Sequence, residues 1–309
     1  MSTAIFSHPD CLKHDMGDWH PESPSRLQAI EDQLILARLD GLVERREAPL
    51  ADESAILRNH SAGALALVRD HVPAAGEFYP LDADTILCHA SYQAALRAAG
   101  AAVAATDAVM AGSIANAFCS VRPPGHHATP KEPMGFCLFN NVAIAARHAL
   151  EVHGLERVAI VDFDVHHGNG TADAFRNDSR VLMASFFQHP FYPYSEPEAI
   201  TATSVNVPVA ACSGGEIVRE LVRTQWLPAL HAHRPQMIFI SAGFDAHRDD
   251  DMGGMDLVEA DYAWITREVM AVAREHAQGR IVSCLEGGYE LSSLGRSVVA
   301  HLKVLAELD

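Results

Sequence analysis

VAIVDFDVHHGNG (Val158–Gly170) changes character at its middle. Its first half is almost unbroken apolar chain, and its second half is acids and histidines closed by two glycines. An apolar run without polar alternation fits a strand buried on both faces, the kind found in a parallel sheet covered by helices. Val181–Phe186 (VLMASF), Met237–Ser241 (MIFIS) and Arg280–Leu285 (RIVSCL) read the same way. Between such runs, Ala90–Met110, Asn140–Val152 and Val258–Ala277 have helical spacing, and the Ala and Gly of the first would let it lie close against a sheet. The alternation predicts an α/β fold with a mostly parallel sheet. No low-complexity linker, charge run or repeat divides the chain, so one domain is expected over residues 1–309.

In sheets of this kind, ligands bind in loops beyond the carboxyl ends of the strands. The polar motifs fall there: VAIVDF runs into DVHHGNG, MIFIS into AGFDAHRDDD, and IVSCL into EGGYE. Composition narrows the chemistry. With 23 Lys+Arg against 40 Asp+Glu the net charge is −17, which argues against electrostatic binding to nucleic acid or an anionic membrane and suits cationic substrates. Six scattered cysteines with no CxxC pair read as reduced thiols of a cytoplasmic protein. The first residues show no basic-then-apolar leader, and no apolar run reaches the roughly 18 residues of a membrane span. The 18 histidines pose a sharper question, namely whether they converge on one site.

Asp162, Asp164 and His166 stand at i, i+2 and i+4, so an extended backbone points all three to one face. They make either a solvated strand end turning at Gly168 and Gly170 or, with a third hard ligand from elsewhere, a metal site. Asp245 in SAGFDAH is the candidate for that ligand. One histidine and two carboxylates leave a coordination position open, as in catalytic sites; zinc leads, while oxygen-rich ligation admits iron, cobalt or manganese. In RPPGHHA (Arg122–Ala128) the prolines and glycine fix the backbone of two adjacent histidines. A general base and an electrostatic partner beside a metal-activated water need such rigidity. Tyr289 either covers a turn or donates a hydrogen bond to a developing oxyanion. GNGTAD lacks the last glycine of a dinucleotide fingerprint, and no GxSxG, Walker A loop or HExxH occurs, so the nucleophile should be water.

These residues resemble the histone deacetylase superfamily, on its class II-like side with the bacterial histone deacetylase-like and acetylpolyamine amidohydrolases. The matching segments are HPESPSRL (His20–Leu27), RPPGHHA, GFCLFNN (Gly135–Asn141), DFDVHHGNGT (Asp162–Thr171), SAGFDAH (Ser241–His247) and LEGGY (Leu285–Tyr289). The resemblance implies the arginase/deacetylase fold, with about eight mostly parallel strands between helices. By position, Asp164, His166 and Asp245 would bind zinc and His127 would be general base and later acid. His126, paired with Asp162, would be its electrostatic partner, and Tyr289 would polarise the acyl carbonyl. A structural potassium would use oxygens of Asp162, Asp164, His166, Ser185 and Phe186, and a second one carbonyls around Phe175, Asp178 and Val181. Phe136, Tyr192, Met252 and Gly287 would face the substrate. Arg26 matches an inner-cavity arginine, or is a buried arginine paired with an acid.

Two positions say more. Asn169 replaces the Asp of class I members, which predicts a less basic His127 than theirs. Met252 stands where the polyamine-selective class IIb enzyme has Glu, which favours acyl-lysine or another acylamide. The resemblance thus implies a zinc-dependent deacetylase acting on an acyl-lysine peptide or small acylated amine, with homo-oligomerisation left open. An acetylpolyamine deacetylase, a dimanganese ureohydrolase and a non-catalytic acyl-amine binding protein are the alternatives. The ureohydrolase would need a second Asp where His247 stands, and retention of Tyr289 with both histidines argues for turnover. Loops Cys11–Trp19 and Phe187–Thr203 are expected to shape the entrance.

Overall fold

The computed structural model describes residues 2–309. Its strands are β1 (Thr3–Ser7), β2 (Glu44–Glu47), β3 (Tyr79–Pro80), β4 (Ile86–Leu87), β5 (Asn116–Cys119), β6 (Val158–Asp162), β7 (Val181–Gln188), β8 (Ser204–Val209), β9 (Ile238–Ala242) and β10 (Ile281–Leu285). β3 and β4 make a small antiparallel hairpin. The other eight form one sheet in the order β2-β1-β5-β10-β9-β6-β7-β8, parallel throughout.

The four apolar runs become β6, β7, β9 and β10, and every residue of these strands is buried. β7 runs two residues beyond the expected Phe186 because Phe187 and Gln188 pair with Pro208 and Val209 of β8. The sequence reading did not separate out β1, β2, β5 and β8. β2 reads ERRE and lies at the sheet edge, where charge discourages pairing with another chain. The three expected helices are Ser91–Met110, Asn141–Glu151 and Glu259–His276. Asn140 begins the second by accepting the Ala143 amide on its side chain at 3.0 Å, a standard N-cap. The small residues of Ser91–Met110 allow close approach, since a Cβ on Gly100 would lie 2.0 Å from the Pro49 carbonyl oxygen.

The winding decides where chemistry can occur. After β5 the chain builds β6, β7 and β8 outward, then returns to insert β9 and β10 between β6 and β5. The direction of winding reverses there, and in open parallel sheets that is where a crevice forms. Four adjacent strands, β5, β10, β9 and β6, therefore deliver their carboxyl-end loops to one place.

Many histidines serve the scaffold instead. His301 sits between Thr266 Oγ1 (2.7 Å) and Ser283 Oγ (3.0 Å), and burial pushes its pKa down to about 3. His60 bonds the Thr129 carbonyl through Nδ1 (3.0 Å) and accepts the Asn140 amide on Nε2 (2.9 Å); burial lowers it to about 4. Both are neutral connectors. All six cysteines are free. Among the described residues no helix is long and apolar enough to cross a membrane.

Candidate active site

Asp162 closes β6, and the bent loop that follows brings Asp164 and His166 together, the His166 amide donating to Asp164 Oδ1 at 2.9 Å. His166 Nδ1 lies 3.1 Å from Asp164 Oδ1 and 3.2 Å from Oδ2 of Asp245, which comes from the loop after β9. All three side chains are buried and their donor atoms converge. Backbone amides hold the carboxylates: Gly287 N–H donates to Asp164 Oδ2 (2.9 Å) and Val165 N–H to Asp245 Oδ1 (2.9 Å). The second oxygen of Asp245 is buried with no hydrogen-bond partner. Burial and the charge of Asp164 push Asp245 up to about 7. Burial opposes a charged His166, yet Asp164 and Asp245 raise it to about 10. An orphaned carboxylate oxygen facing an imidazole and a second carboxylate fits a divalent cation with mixed N/O ligands, zinc above all.

Gly287 belongs to this cradle. A Cβ there would lie 1.9 Å from Asp245 Oδ2 and 2.6 Å from Asp164 Oδ2. It stands directly against the carboxylates, a contact the sequence alone does not indicate.

The RPPGHHA loop leaves β5 and brings His126 and His127 beside the trio, with their rings 4.0 Å apart. His126 Nδ1 pairs with Asp162 Oδ2 at 3.0 Å. Burial disfavours its charged form, but Asp164 and Asp162 outweigh this and hold its pKa well above the usual value. For His127, burial and then the charges of His126 and His166 push the pKa well below the usual value. The two imidazoles are pushed in opposite directions, His126 toward its charged form and His127 toward its neutral one. His127 Nδ1 lies 2.7 Å from the Asn169 side-chain oxygen. An amide oxygen only accepts, so the proton sits on Nδ1 and Nε2 keeps its lone pair.

Two acids that the sequence reading left without a role hold this machinery. Glu286 accepts from the Gly125 amide (2.6 Å), the His126 amide (3.1 Å) and Ser241 Oγ (3.1 Å), tying the histidine loop to β9 and β10. Asp250 Oδ2 accepts both the Tyr289 amide (2.5 Å) and the Glu290 amide (2.9 Å), and its Oδ1 accepts the Met252 amide (2.9 Å). Their only sequence signal was their place inside quoted motifs. Asp250→Asn keeps the shape of the clamp but exchanges a charged acceptor for an amide. Steady-state kinetics should show kcat falling about tenfold with KM nearly unchanged, since charge-assisted bonds are roughly twice as strong as neutral ones. Unchanged kcat would mean that Tyr289 needs no such clamp.

Tyr289 presents its ring to Phe136 edge-on (centroids 5.8 Å apart), while the Arg26 guanidinium lies 4.8 Å from its centroid. Burial raises the phenol well above its ordinary pKa, which keeps it a hydrogen-bond donor. Arg26 is fully buried and fully engaged, with Glu22 (3.0 Å), the Gly288 carbonyl (2.6 Å) and the Glu286 carbonyl. Arg122 shares Glu22 and also bonds the Cys11 and His14 carbonyls, both at 3.0 Å. Of the two readings of Arg26, the geometry favours the paired, buried one.

A cavity of about 260 Å³ opens onto His127, His166 and Tyr289. Gly135 (φ +57°) and Phe136 (φ +68°) turn consecutively through the left-handed region. A Cβ on Gly135 would lie 2.6 Å from His127 Cδ2, so this turn presses on the His127 ring, and Phe136 joins the cavity wall. Tyr192 stands edge-on to His127 at 5.1 Å. Its neighbour Phe191, absent from the expected set, stacks on His166 at 5.4 Å and 17°. Met252 lines the outer part, together with Asp84, Asp251 and the exposed Tyr194. Of the two loops expected at the entrance, the one from 187 to 203 supplies wall residues. The 11–19 loop does not line the cavity; it braces Arg122 from behind, and Trp19 reaches Phe136 only through His20.

Among the residues matched to potassium sites, the oxygens of Ser185, Phe175 and Asp178 are already engaged. Ser185 pairs with Asp162 across β6 and β7, its Oγ donates to Asn206 (2.8 Å) and its carbonyl accepts from Trp226 (3.2 Å), while the Phe186 ring stacks on Trp226. The Phe175 carbonyl accepts the Asp178 amide (3.0 Å) and the Asp178 carbonyl accepts the Val181 amide (3.1 Å).

Known proteins share this arrangement. Residues 20–305 match the family described as "Histone deacetylase domain". The "Histone deacetylase-like amidohydrolase" of Pseudomonas aeruginosa is 37% identical over 93% of this chain and 81% of its own length. The "Probable deacetylase" of Archaeoglobus fulgidus is 37% identical over the whole of this chain and 86% of its own. "Type-2 histone deacetylase 2" of Dictyostelium discoideum is 34% identical over 99% of this chain, which spans only 21% of that protein. Among solved structures, "Crystal Structure of HDA15 HD domain" superposes with a TM-score of 0.93 at 33% identity, covering 99% of this chain and 90% of that one. With one family matched nearly end to end and the backbone superposing to that degree, this chain belongs to the histone deacetylase family of hydrolases and has the arginase/deacetylase fold.

Proposed function

We propose that this chain is a zinc-dependent amidohydrolase that removes an acetyl or related acyl group from a primary amine, foremost acyl-lysine. The observation that carries this reading is a convergence: the buried two-carboxylate, one-histidine set lies beside the His126 and His127 rings, and His127, His166 and Tyr289 face one cavity, with His126 pushed toward its charged form and His127 toward neutral.

Asp164, His166 and Asp245 would hold zinc, whose chemistry in such a set is polarisation of a carbonyl and activation of water. His127 Nε2 takes a proton from the attacking water as its oxygen bonds the acyl carbon. His126, kept charged by Asp162, favours the negative charge that develops, and the Tyr289 hydroxyl donates to the carbonyl oxygen as it becomes an oxyanion. His127 then returns the proton to the amine nitrogen as the C–N bond breaks, releasing carboxylate and free amine. Phe136, Phe191 and Tyr192 give an apolar sleeve for an alkyl stem. Potassium on the oxygens of Asp162, Asp164, His166, Ser185 and Phe186, and on those around Phe175, Asp178 and Val181, would be structural. The free thiols suit a reducing compartment, and we place the reaction in the cytoplasm.

An acetylpolyamine substrate is the second reading, favoured by Asp84 and Asp251 on the cavity lining. The ureohydrolase reading loses support because the His247 ring faces the Asp249 amide (3.1 Å) and Glu259 (3.6 Å) and stands apart from the trio. The test is a panel of acyl-lysine peptides, acetylpolyamines and small acylamides with zinc or manganese supplied. Acetyl-lysine peptides should lead in kcat/KM with zinc. A tenfold or greater lead for acetylpolyamines, about 1.4 kcal/mol of transition-state preference, would transfer the assignment to the second reading.

A further inference from the structure

Two histidine clusters lie at the end of the sheet opposite Tyr289, where helices run into strands. One joins His231, Glu275 and His276, and the other joins Asp107, His148 and His153. In the first, His231 lies in the last turn of the helix Leu227–His233, which leads into β9, and His276 ends the helix Glu259–His276, which leads into β10. β9 and β10 are neighbours and carry Asp245 and Tyr289 beyond their other ends.

His231 Nδ1 and His276 Nε2 face each other at 3.0 Å. The Glu275 carboxylate has an oxygen 3.5 Å from the first and another 3.4 Å from the second. Two ring nitrogens in this position cannot both carry protons. Zinc bonds of about 2.0 to 2.2 Å in tetrahedral geometry put ligand atoms about 3.3 to 3.6 Å apart. The two Glu275 separations lie in that range, while the 3.0 Å between the ring nitrogens is a hydrogen-bond length that would open by about 0.3 Å around a metal, as the 3.1 and 3.2 Å separations in the Asp164, His166 and Asp245 set would also open slightly. Both histidines also sit at helix C-termini, whose free carbonyls favour a cation.

The second cluster lacks these features. His148 Nε2 and His153 Nε2 each bond the same Asp107 oxygen at 2.7 Å, an ordinary hydrogen-bond length. His148 Nδ1 is buried without a partner, so metal on its Nε2 would strand a buried N–H where ligating histidines normally donate to a second group.

We propose that His231, Glu275 and His276 form a second divalent-cation site, for zinc, which staples the C-terminal ends of these two helices with solvent completing the coordination. The site lies at the far end of β9 and β10 from the reacting groups, so its effect is on stability, and it is independent of the deacetylase reading. The experiment titrates zinc into the full chain and counts bound metal by equilibrium dialysis with elemental analysis. Wild type should bind two zinc ions per chain, the weaker with half-saturation below about 100 µM free zinc. His231→Ala and His276→Ala should each bind one and keep wild-type kcat/KM. An Asp164→Ala/Asp245→Ala variant should still bind one, and zinc should raise its Tm, an increase lost when His231→Ala is added. Equal zinc binding by wild type, His231→Ala and His276→Ala over that range would overturn the proposal, leaving the three side chains a hydrogen-bonded surface cluster.

Discussion

Replacing Tyr289 with phenylalanine should lower kcat on an acetyl-lysine peptide by about 100- to 1,000-fold and leave KM within about threefold, the signature of an interaction made mainly in the transition state. The substitution removes one oxygen and little else. The ring keeps its edge contact with Phe136 and its stack under Arg26, and the Asp250 clamp acts on the Tyr289 backbone, which the change leaves alone. What disappears is a donor that burial keeps protonated. Thermal melting of the variant should match wild type, which separates lost chemistry from lost fold. Wild-type turnover in a folded Tyr289→Phe protein would remove Tyr289 from the mechanism.

Gly287→Ala should weaken zinc binding by at least about 100-fold, at or beyond the upper end of what losing an outer partner of a metal ligand does. The added methyl would have to share space with Asp245 Oδ2 at 1.9 Å and Asp164 Oδ2 at 2.6 Å. Both oxygens belong to buried side chains held by backbone amides, so neither can swing into solvent to make room. The carboxylates must be driven apart or the β10 loop pushed outward, and either change spoils the convergence with His166. Metal content per chain, measured beside melting temperature, checks this. A folded variant with a full complement of zinc and wild-type kcat/KM would show that the cradle can relax.

The two predictions draw on different levels of information. Tyr289 was legible as a candidate in LEGGY, because a phenol at a strand end fits oxyanion chemistry. For Gly287, in the same motif, the resemblance offers only a place against substrate, and nothing local shows that Asp164, 123 residues away, reaches its amide. Glu286 and Asp250 were passed over for a similar reason. Each is an unremarkable acid until folding sets backbone N–H groups around it, across 160 residues for Glu286 and His126 and 39 for Asp250 and Tyr289. Phe191 escaped because an aromatic pair in a loop does not reveal which ring will stack on His166.

The fold class, the strands β6, β7, β9 and β10, and the candidate groups at the strand ends all follow from local pattern. A strand buried on both faces must be apolar along its whole length, and metal or proton chemistry needs acids, histidines or a phenol at strand ends. Burial and long-range pairing are properties of the folded chain, and they decided the rest. They push His126 toward its charged form and His127 toward its neutral one, although the two are adjacent and chemically identical. They set His60 and His301 to scaffold work and engage Arg26 in a buried pair. A side chain's type is written locally, but its protonation and its partners depend on the charges and the water that the tertiary structure leaves around it.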